Sequence, residues 1–175
     1  MTIDVPELHT ERLLLRAFRD DDFPEYALLV GDPVVTQYLG DGRPLAPFDA
    51  WRQMAMFAGH WLLRGFGVWA VEEKATGRFV GRIGCFEPEG WPAFEIAYTL
   101  SPTVWGRGYA VEGARAALHH AHTVLGRRGV TSVIRPANER SIRVATQLGA
   151  RFDRAVPFFG DEAHLYVYPD PADAG

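Results

Sequence analysis

Cysteine is almost missing from this chain of 175 residues. Cys85 stands alone, which excludes intramolecular disulfides and any zinc cluster built on thiolates, and a reducing cytoplasm is the setting expected for such a chain. Lysine is equally scarce: Lys74 is the single one among 18 basic residues, and 22 acidic residues bring the formal net charge to −4. A basic face for nucleic acid or an anionic membrane is therefore not expected. No apolar stretch approaches the roughly 20 residues that span a bilayer. Met1 to Glu11 lacks a basic segment followed by an apolar one, so no signal peptide is expected. Internal repeats and low-complexity linkers are absent too. What remains, 47% hydrophobic and 23% charged residues, suits a globular protein. A chain this long buries roughly 70% of the surface its unfolded form exposes, enough for one domain.

Hydrophobic period and turn chemistry divide the chain. Arg12 to Phe18, carrying Leu13-Leu14-Leu15, reads as a first strand. Asp20-Asp21-Asp22 offers cap oxygens to a short helix reaching about Val30, and Asp32-Pro33 opens another toward Leu39. Trp51, Met54, Ala58, Trp61 and Leu62 recur at helical spacing and predict the packing stripe of a helix from about Phe48 to Gly65-Phe66-Gly67. Val68–Glu73 and Arg78–Phe86 predict strands around the turn Lys74-Ala75-Thr76-Gly77, and Ala93–Leu100 predicts a third. Ala110, Ala114, Ala117, Leu118, Ala121 and Leu125 mark the apolar side of a second long helix. Thr131–Arg135 follows as a strand, then a helix from about Glu139 to Leu148 closed by Gly149, then strands near Phe152–Phe159 and His164–Tyr168. The order predicts one mixed α/β (α+β) domain over residues 8–169, with a mostly antiparallel sheet of about seven strands and helices on both faces. The polar stretch 170–175 predicts a disordered tail.

The most informative junction is Phe94–Leu100 emptying into Ser101–Ala110, with a helix following at once. A glycine-rich loop at a helix start presents unpaired backbone N–H groups to an anion, and the helix dipole adds its positive end there. Gly106 and Gly108 carry no Cβ, so a phosphate can approach the main chain closely. The loop is not a P-loop, because no Gly-Lys-Ser/Thr follows. It fits the dinucleotide fingerprint badly, because Val111 stands where the third glycine belongs. A turn shaped only by packing is the competing reading.

The loop Trp105-Gly106-Arg107-Gly108-Tyr109-Ala110 is similar to the Gln/Arg-x-x-Gly-x-Gly/Ala signature of the GNAT superfamily of acyl-CoA-dependent N-acetyltransferases, with Trp105 departing from the usual Gln/Arg. Three further stretches resemble the branch containing the ribosomal-protein N-terminal acetyltransferases and their small-molecule relatives. They are Thr10-Glu11-Arg12-Leu13-Leu14-Leu15-Arg16, Asn138-Glu139-Arg140-Ser141 and Leu148-Gly149-Ala150-Arg151-Phe152. The resemblance runs from about Leu8 to Tyr168 and implies the acyl-CoA N-acyltransferase fold, with acetyl-CoA as co-substrate. It implies that the N–H groups of Arg107 to Ala110, in a loop including Trp105 and Gly106, hold the CoA pyrophosphate. It also implies main-chain bonds from Tyr98, Thr99 and Leu100 to the pantetheine arm and a hydrogen bond from Asn138; a strand irregularity near Tyr98 to Leu100 is expected to offer a backbone N–H to the developing oxyanion. Ser141 lies one helical turn on. Arg107, Arg140 and Arg143 are either 3′-phosphate ligands or solvated surface charges.

Acetyl transfer to an amine needs proton removal, since a free alkylammonium has a pKa around 10. Many members of the family carry a tyrosine seven residues after the asparagine, where this chain has Ala145, or a carboxylate where it has Val133. Glu95, on the strand side shared with Ala97 and Thr99, is then the candidate base or amine anchor. A structural acid paired with an arginine such as Arg82 is its other reading. Ser141 is the candidate donor to the departing sulfur, or simply part of the helix cap. Trp91 is expected to line a pocket, with His60 and Glu87 as further acceptor contacts; His119, His120 and His122 are expected on the surface, with no metal. The acceptor is a primary amine, either a protein N-terminus or a small molecule, and a homodimer through the C-terminal strands is compatible with the pattern. A non-catalytic acyl-CoA-binding or sensing domain, and a protein using the loop for another phosphate, are the rival classes.

Overall fold

Eight runs of strand-forming residues assemble into one sheet in the computed structural model, which describes residues 4–171. They are β1 (Leu8–His9), β2 (Leu13–Arg16), β3 (Val68–Glu73), β4 (Arg78–Phe86), β5 (Glu95–Leu100), β6 (Thr131–Ile134), β7 (Arg151–Phe158) and β8 (Asp161–Val167). Their spatial order is β1-β2-β3-β4-β5-β6-β8-β7. Every neighbouring pair is antiparallel except β5 and β6. The mixed, mostly antiparallel sheet expected from the sequence is therefore present. The strand beyond the expected seven is β1, only two residues long and too short to show a period of its own. The expected tail lies outside the described residues from position 172 on.

Helices cover both faces. One face packs Ile83, Ile96 and Leu100 against Ala114, Ala117 and Ala121 of α4 (Tyr109–Thr123), whose small residues let the helix lie close. The other buries Val68 and Phe86 under Tyr26 and Val30 of α1 (Phe23–Gly31) and Met54 and Phe57 of α3 (Pro47–Arg64). The α3 stripe differs from the expected one. Its buried seam is Ala50, Met54, Phe57, His60 and Trp61, whereas Trp51, Ala58 and Leu62 are exposed, Trp51 at 49%. Helical spacing alone allowed either seam, and packing against α1 and the sheet buries the one that carries Phe57.

Two short connections finish the frame. Asp32 accepts the Val34 N–H at 2.8 Å and starts α2 (Pro33–Thr36), as its Asp-Pro sequence predicts. Asp22 does not cap α1 with its side chain: its carboxylate accepts the Arg19 N–H at 2.8 Å in the turn before that helix and takes both Arg16 Nη atoms at 2.8 Å, tying β2 to the entry of α1. α5 (Glu139–Gln147) ends at Gly149, whose φ of 88° is the left-handed conformation expected of a C′ glycine.

Strand β4 passes β3 so closely at Gly84 that a Cβ there would lie 2.5 Å from both the Gly67 carbonyl oxygen and the Val68 Cα. Neither atom can swing aside. Gly84→Ala is therefore expected to cost about 3 kcal/mol of stability, read from urea unfolding; a loss below about 0.5 kcal/mol would show that the two strands can separate freely here.

Candidate functional site

The site is created where β5 and β6 part. These parallel strands share one in-register pair, Glu95 opposite Thr131. Thr131 N donates to Phe94 O at 3.0 Å, and the Ser132 hydroxyl donates to Ile96 O at 2.6 Å. Further along, no main-chain pairing joins the two strands among the described residues. The edge of β5 from Tyr98 to Leu100 faces a cleft of about 910 Å³. Strand β5 keeps unbroken register with β4 through Leu100, so the expected irregularity near Tyr98 is not there; the open edge comes from the departure of β6.

Tyr98, Thr99, Leu100, Trp105, Gly106, Gly108, Tyr109, Ala110, Asn138, Ser141 and Arg143 all line this one cleft. Arg107 does not: its guanidinium turns away to Glu73 at 3.2 Å. Gly106 and Gly108 hold φ of 77° and 81°, a backbone shape that side chains with a Cβ resist. That shape leaves the N–H groups of Gly106 through Ala110 without an acceptor among the described residues, at the N-terminus of α4.

The loop is braced from outside the cleft. Arg12 donates from Nη1 to Arg107 O at 2.8 Å and is held by Glu112 of α4, which also accepts the Arg12 N–H at 2.8 Å. On the other flank Tyr109 donates its hydroxyl to Glu73 at 2.7 Å. Trp105 acts as a strut, its indole N–H donating to Leu100 O at 2.8 Å and its ring lying 4.1 Å from the Arg140 guanidinium. Arg143 pairs with Glu139 at 3.4 Å.

On the opposite wall Asn138 caps α5 by accepting the Ser141 N–H at 3.2 Å. The Tyr98 hydroxyl donates to Ser141 O at 2.9 Å, while the Ser141 hydroxyl has no partner among the described residues and borders the cleft. Ala145, where many relatives carry tyrosine, is wholly buried.

Glu95 sits at the apex of the wedge, three residues before the cleft wall begins at Tyr98. It is only 6% exposed and makes no ion pair among the described residues, so the other reading of this acid, a pair with an arginine such as Arg82, is not found. Its Oε2 accepts the Val133 N–H at 2.9 Å, a donor stranded by the departure of β6, and its Oε1 accepts from Trp91 Nε1 at 2.8 Å. Burial pushes its pKa up to about 7; the two hydrogen bonds and the Arg82 charge pull the other way. Trp91 is thus occupied in fixing Glu95, packed against Phe86 and Phe158, rather than lining the cleft.

Other candidates resolve into the fold. His60 is buried, with Nδ1 2.7 Å from Phe66 O and Nε2 facing the Glu87 N–H at 3.3 Å, an arrangement that fits the neutral ring. His120 is buried edge-on to Trp69, not exposed as expected, because α4 lies flat enough on the sheet to cover it. No group of three or more metal-ligating side chains occurs among the described residues. Nor is any helix there long and apolar enough to cross a membrane. Val34, Val35 and Leu39 line the cleft from a segment some 60 residues before β5 in sequence, and no local pattern marks them.

Residues 12–151 match the family of acetyltransferase (GNAT) domains. The uncharacterized protein YkkB of Bacillus subtilis (strain 168) is 34% identical over 158 residues, covering 86% of this chain and 88% of that protein. The crystal structure of an acetyltransferase from Agrobacterium tumefaciens superposes with a TM-score of 0.86 at 30% identity, covering 97% and 98% of the two chains. A ribosomal L7/L12 α-N-protein acetyltransferase solved with coenzyme A shares the fold at a TM-score of 0.78 and 18% identity, over 96% of this chain and 100% of that one.

The loop geometry carries a test. Gly108→Ala is expected to cost only about 1–2 kcal/mol of stability, the strain of a left-handed alanine, yet to weaken CoA binding at least tenfold in calorimetry. Unchanged CoA affinity would mean that these amides do not grip the diphosphate.

Proposed function

Because the chain belongs to the GNAT acetyltransferase family and is an acetyl-CoA-dependent acetyltransferase, we propose that it acetylates a primary amine by direct attack in a ternary complex, with Glu95 receiving the amine proton. The observation that carries this reading is a single buried carboxylate, its pKa raised to about 7, at the apex of the cleft between β5 and β6. In this reading acetyl-CoA supplies the activated acyl group and the thiolate leaving group. The N–H groups of Gly106 to Ala110 hold its diphosphate, with Trp105 keeping their loop in shape. The free edge of Tyr98, Thr99 and Leu100 aligns the pantetheine arm as an added strand would, and Asn138 and Arg143 border the same channel.

The chemistry then falls to two side chains. Glu95, directly or through a water, takes a proton from the ammonium group. The amine nitrogen bonds to the acyl carbon, the C–S bond breaks, and the second proton shed by the nitrogen passes to the departing sulfur, leaving the amide and the CoA thiol. A hydrogen bond from the Ser141 hydroxyl supports the sulfur as it leaves. The unpaired N–H of the β5 edge supports charge developing on the acyl oxygen. We assign this work to the cytoplasm, on the strength of the lone cysteine: Cys85 is fully buried, and burial pushes its thiol up to about 12. The outer edge of β7, with Phe152 exposed, suits a homodimer.

Glu95→Gln is expected to cut turnover at least tenfold while CoA affinity stays within about twofold. Wild-type kcat/KM is expected to climb as pH rises through about 7, where Glu95 loses its proton, and that limb should vanish in the variant. Equal activity of the two proteins would remove Glu95 from the mechanism. Tight CoA binding by the wild type without turnover on any amine or peptide would instead make this a sensing domain.

The same shift bears on stability. A carboxyl whose folded pKa lies above its ordinary 4.5 contributes stability that is complete below pH 4.5 and is lost as pH rises through about 7. The difference in unfolding free energy between pH 5 and pH 8 should therefore shrink in Glu95→Gln. A difference as large as the wild type's would place the titration elsewhere.

A further inference from the structure

Arg82 is a buried cation with no ion pair among the described residues. It is 8% exposed, and its Nε is wholly enclosed and has no hydrogen-bond partner there. An arginine cannot shed its proton to escape this, so burial without a partner is costly unless something anionic arrives. Directly across the ladder from Arg82 stands Thr99, whose side chain shares its face. The Thr99 hydroxyl is likewise buried and unpartnered, and Thr99 borders the cleft. Two unsatisfied donors thus stand opposite each other on adjacent strands, Thr99 on the strand that borders the cleft.

Their surroundings are largely aromatic. Phe57 offers its ring 4.9 Å from the Arg82 guanidinium, and Tyr26 of α1, bonded to Gln53, also interacts with that guanidinium. Along the same face of β5 come Thr99, Ala97 and Glu95. Ala97, between Thr99 and Glu95, is half-buried and packs against the cluster that holds Phe57 and Phe86. A donor pair for an anion therefore lies about 13 Å along the strand from the carboxylate assigned to the amine, less the reach of the two long side chains. Glu95 does not satisfy Arg82 itself, because both its oxygens already accept from Trp91 and Val133.

We propose that Arg82 and Thr99 bind a carboxylate carried by the acceptor, so that the substrate is an amino acid or similar anionic amine rather than a polyamine. The inference rests on the assignment of the amine end to Glu95. Guanidinium binds carboxylate in a planar fork, and a threonine hydroxyl can donate to the same group. A carboxylate there completes both unsatisfied donors, whereas a polycationic acceptor would add charge beside a cation that is already unpaired.

The test uses matched acceptors: α-, β- and γ-amino acids, the carboxamide of each, and spermidine. In the wild type kcat/KM for at least one amino acid should exceed that of its carboxamide by tenfold or more. Arg82→Gln should bring that ratio to near one, Arg82→Lys should restore part of it, and CoA affinity should stay within twofold in both. No preference for carboxylate in the wild type, or a preference that survives in Arg82→Gln, would overturn the proposal. Should Arg82→Gln lose CoA binding through misfolding, Thr99→Val decides: the ratio falls at least threefold if the hydroxyl takes part and is unchanged if it does not. Should the wild type acetylate nothing in the panel, the transfer reading is what has failed. Calorimetry of the CoA complex with the same amino acids then judges the carboxylate site separately: binding lost in Arg82→Gln supports it, and no binding to the wild type sinks it.

Discussion

Everything at the site depends on two parallel strands that pair once and then separate. Glu95 and Thr131 are the only residues of β5 and β6 in register, and from that point the sheet opens into a wedge. Opening a sheet strands backbone donors and acceptors, and each buried one left alone costs free energy comparable to a lost hydrogen bond. The chain meets this with side chains. Ser132 reaches Ile96 O, Glu95 reaches the Val133 N–H, and Tyr98 reaches Ser141 O across the gap. The edge left uncovered, Tyr98 to Leu100, is the part that borders the cleft.

That arrangement places two opposed demands on Glu95. Burial favours the neutral acid, while two donors aimed at its two oxygens favour the carboxylate. A group so poised changes charge near neutrality, as general bases do. The glycine loop shows the opposite treatment. Arg12, Glu112 and Glu73 hold it rigidly from outside, so its amides keep their direction without any partner inside the cleft.

Much of this was legible from residues that punish substitution. The glycines of the loop, Asn138 as a cap and the isolated acid in the apolar run Phe94–Ile96 announce themselves through local chemistry, and the structure gathers nearly all of them around one cleft or its apex. Arg107 escaped because sequence does not show which way a flexible arginine turns, and here Glu73 draws it off. The α3 seam was misread because Trp51 and Phe57 are both large and apolar, each on a helically spaced row; only packing against the rest of the fold chooses between them. Trp91 looked like a pocket residue because its loop is rich in proline and glycine, yet its indole N–H is committed to a carboxylate four residues on. Tertiary placement, not pattern, decides such cases.

Ala145 and Val133 stand where the resemblance in sequence implies a tyrosine or a strand carboxylate, so the proposed mechanism rests on Glu95, to which Val133 contributes its backbone N–H. The energetic difference is sizeable. A carboxylate at its ordinary 4.5 faces an ammonium near 10, whereas one at about 7 narrows that gap by some 2.5 units, worth roughly 3 kcal/mol in the proton transfer. In the proposed mechanism, burial of the acid therefore becomes basicity where the amine must lose its proton. The parting of β5 and β6 would then admit the acyl donor at the same place where the base is desolvated.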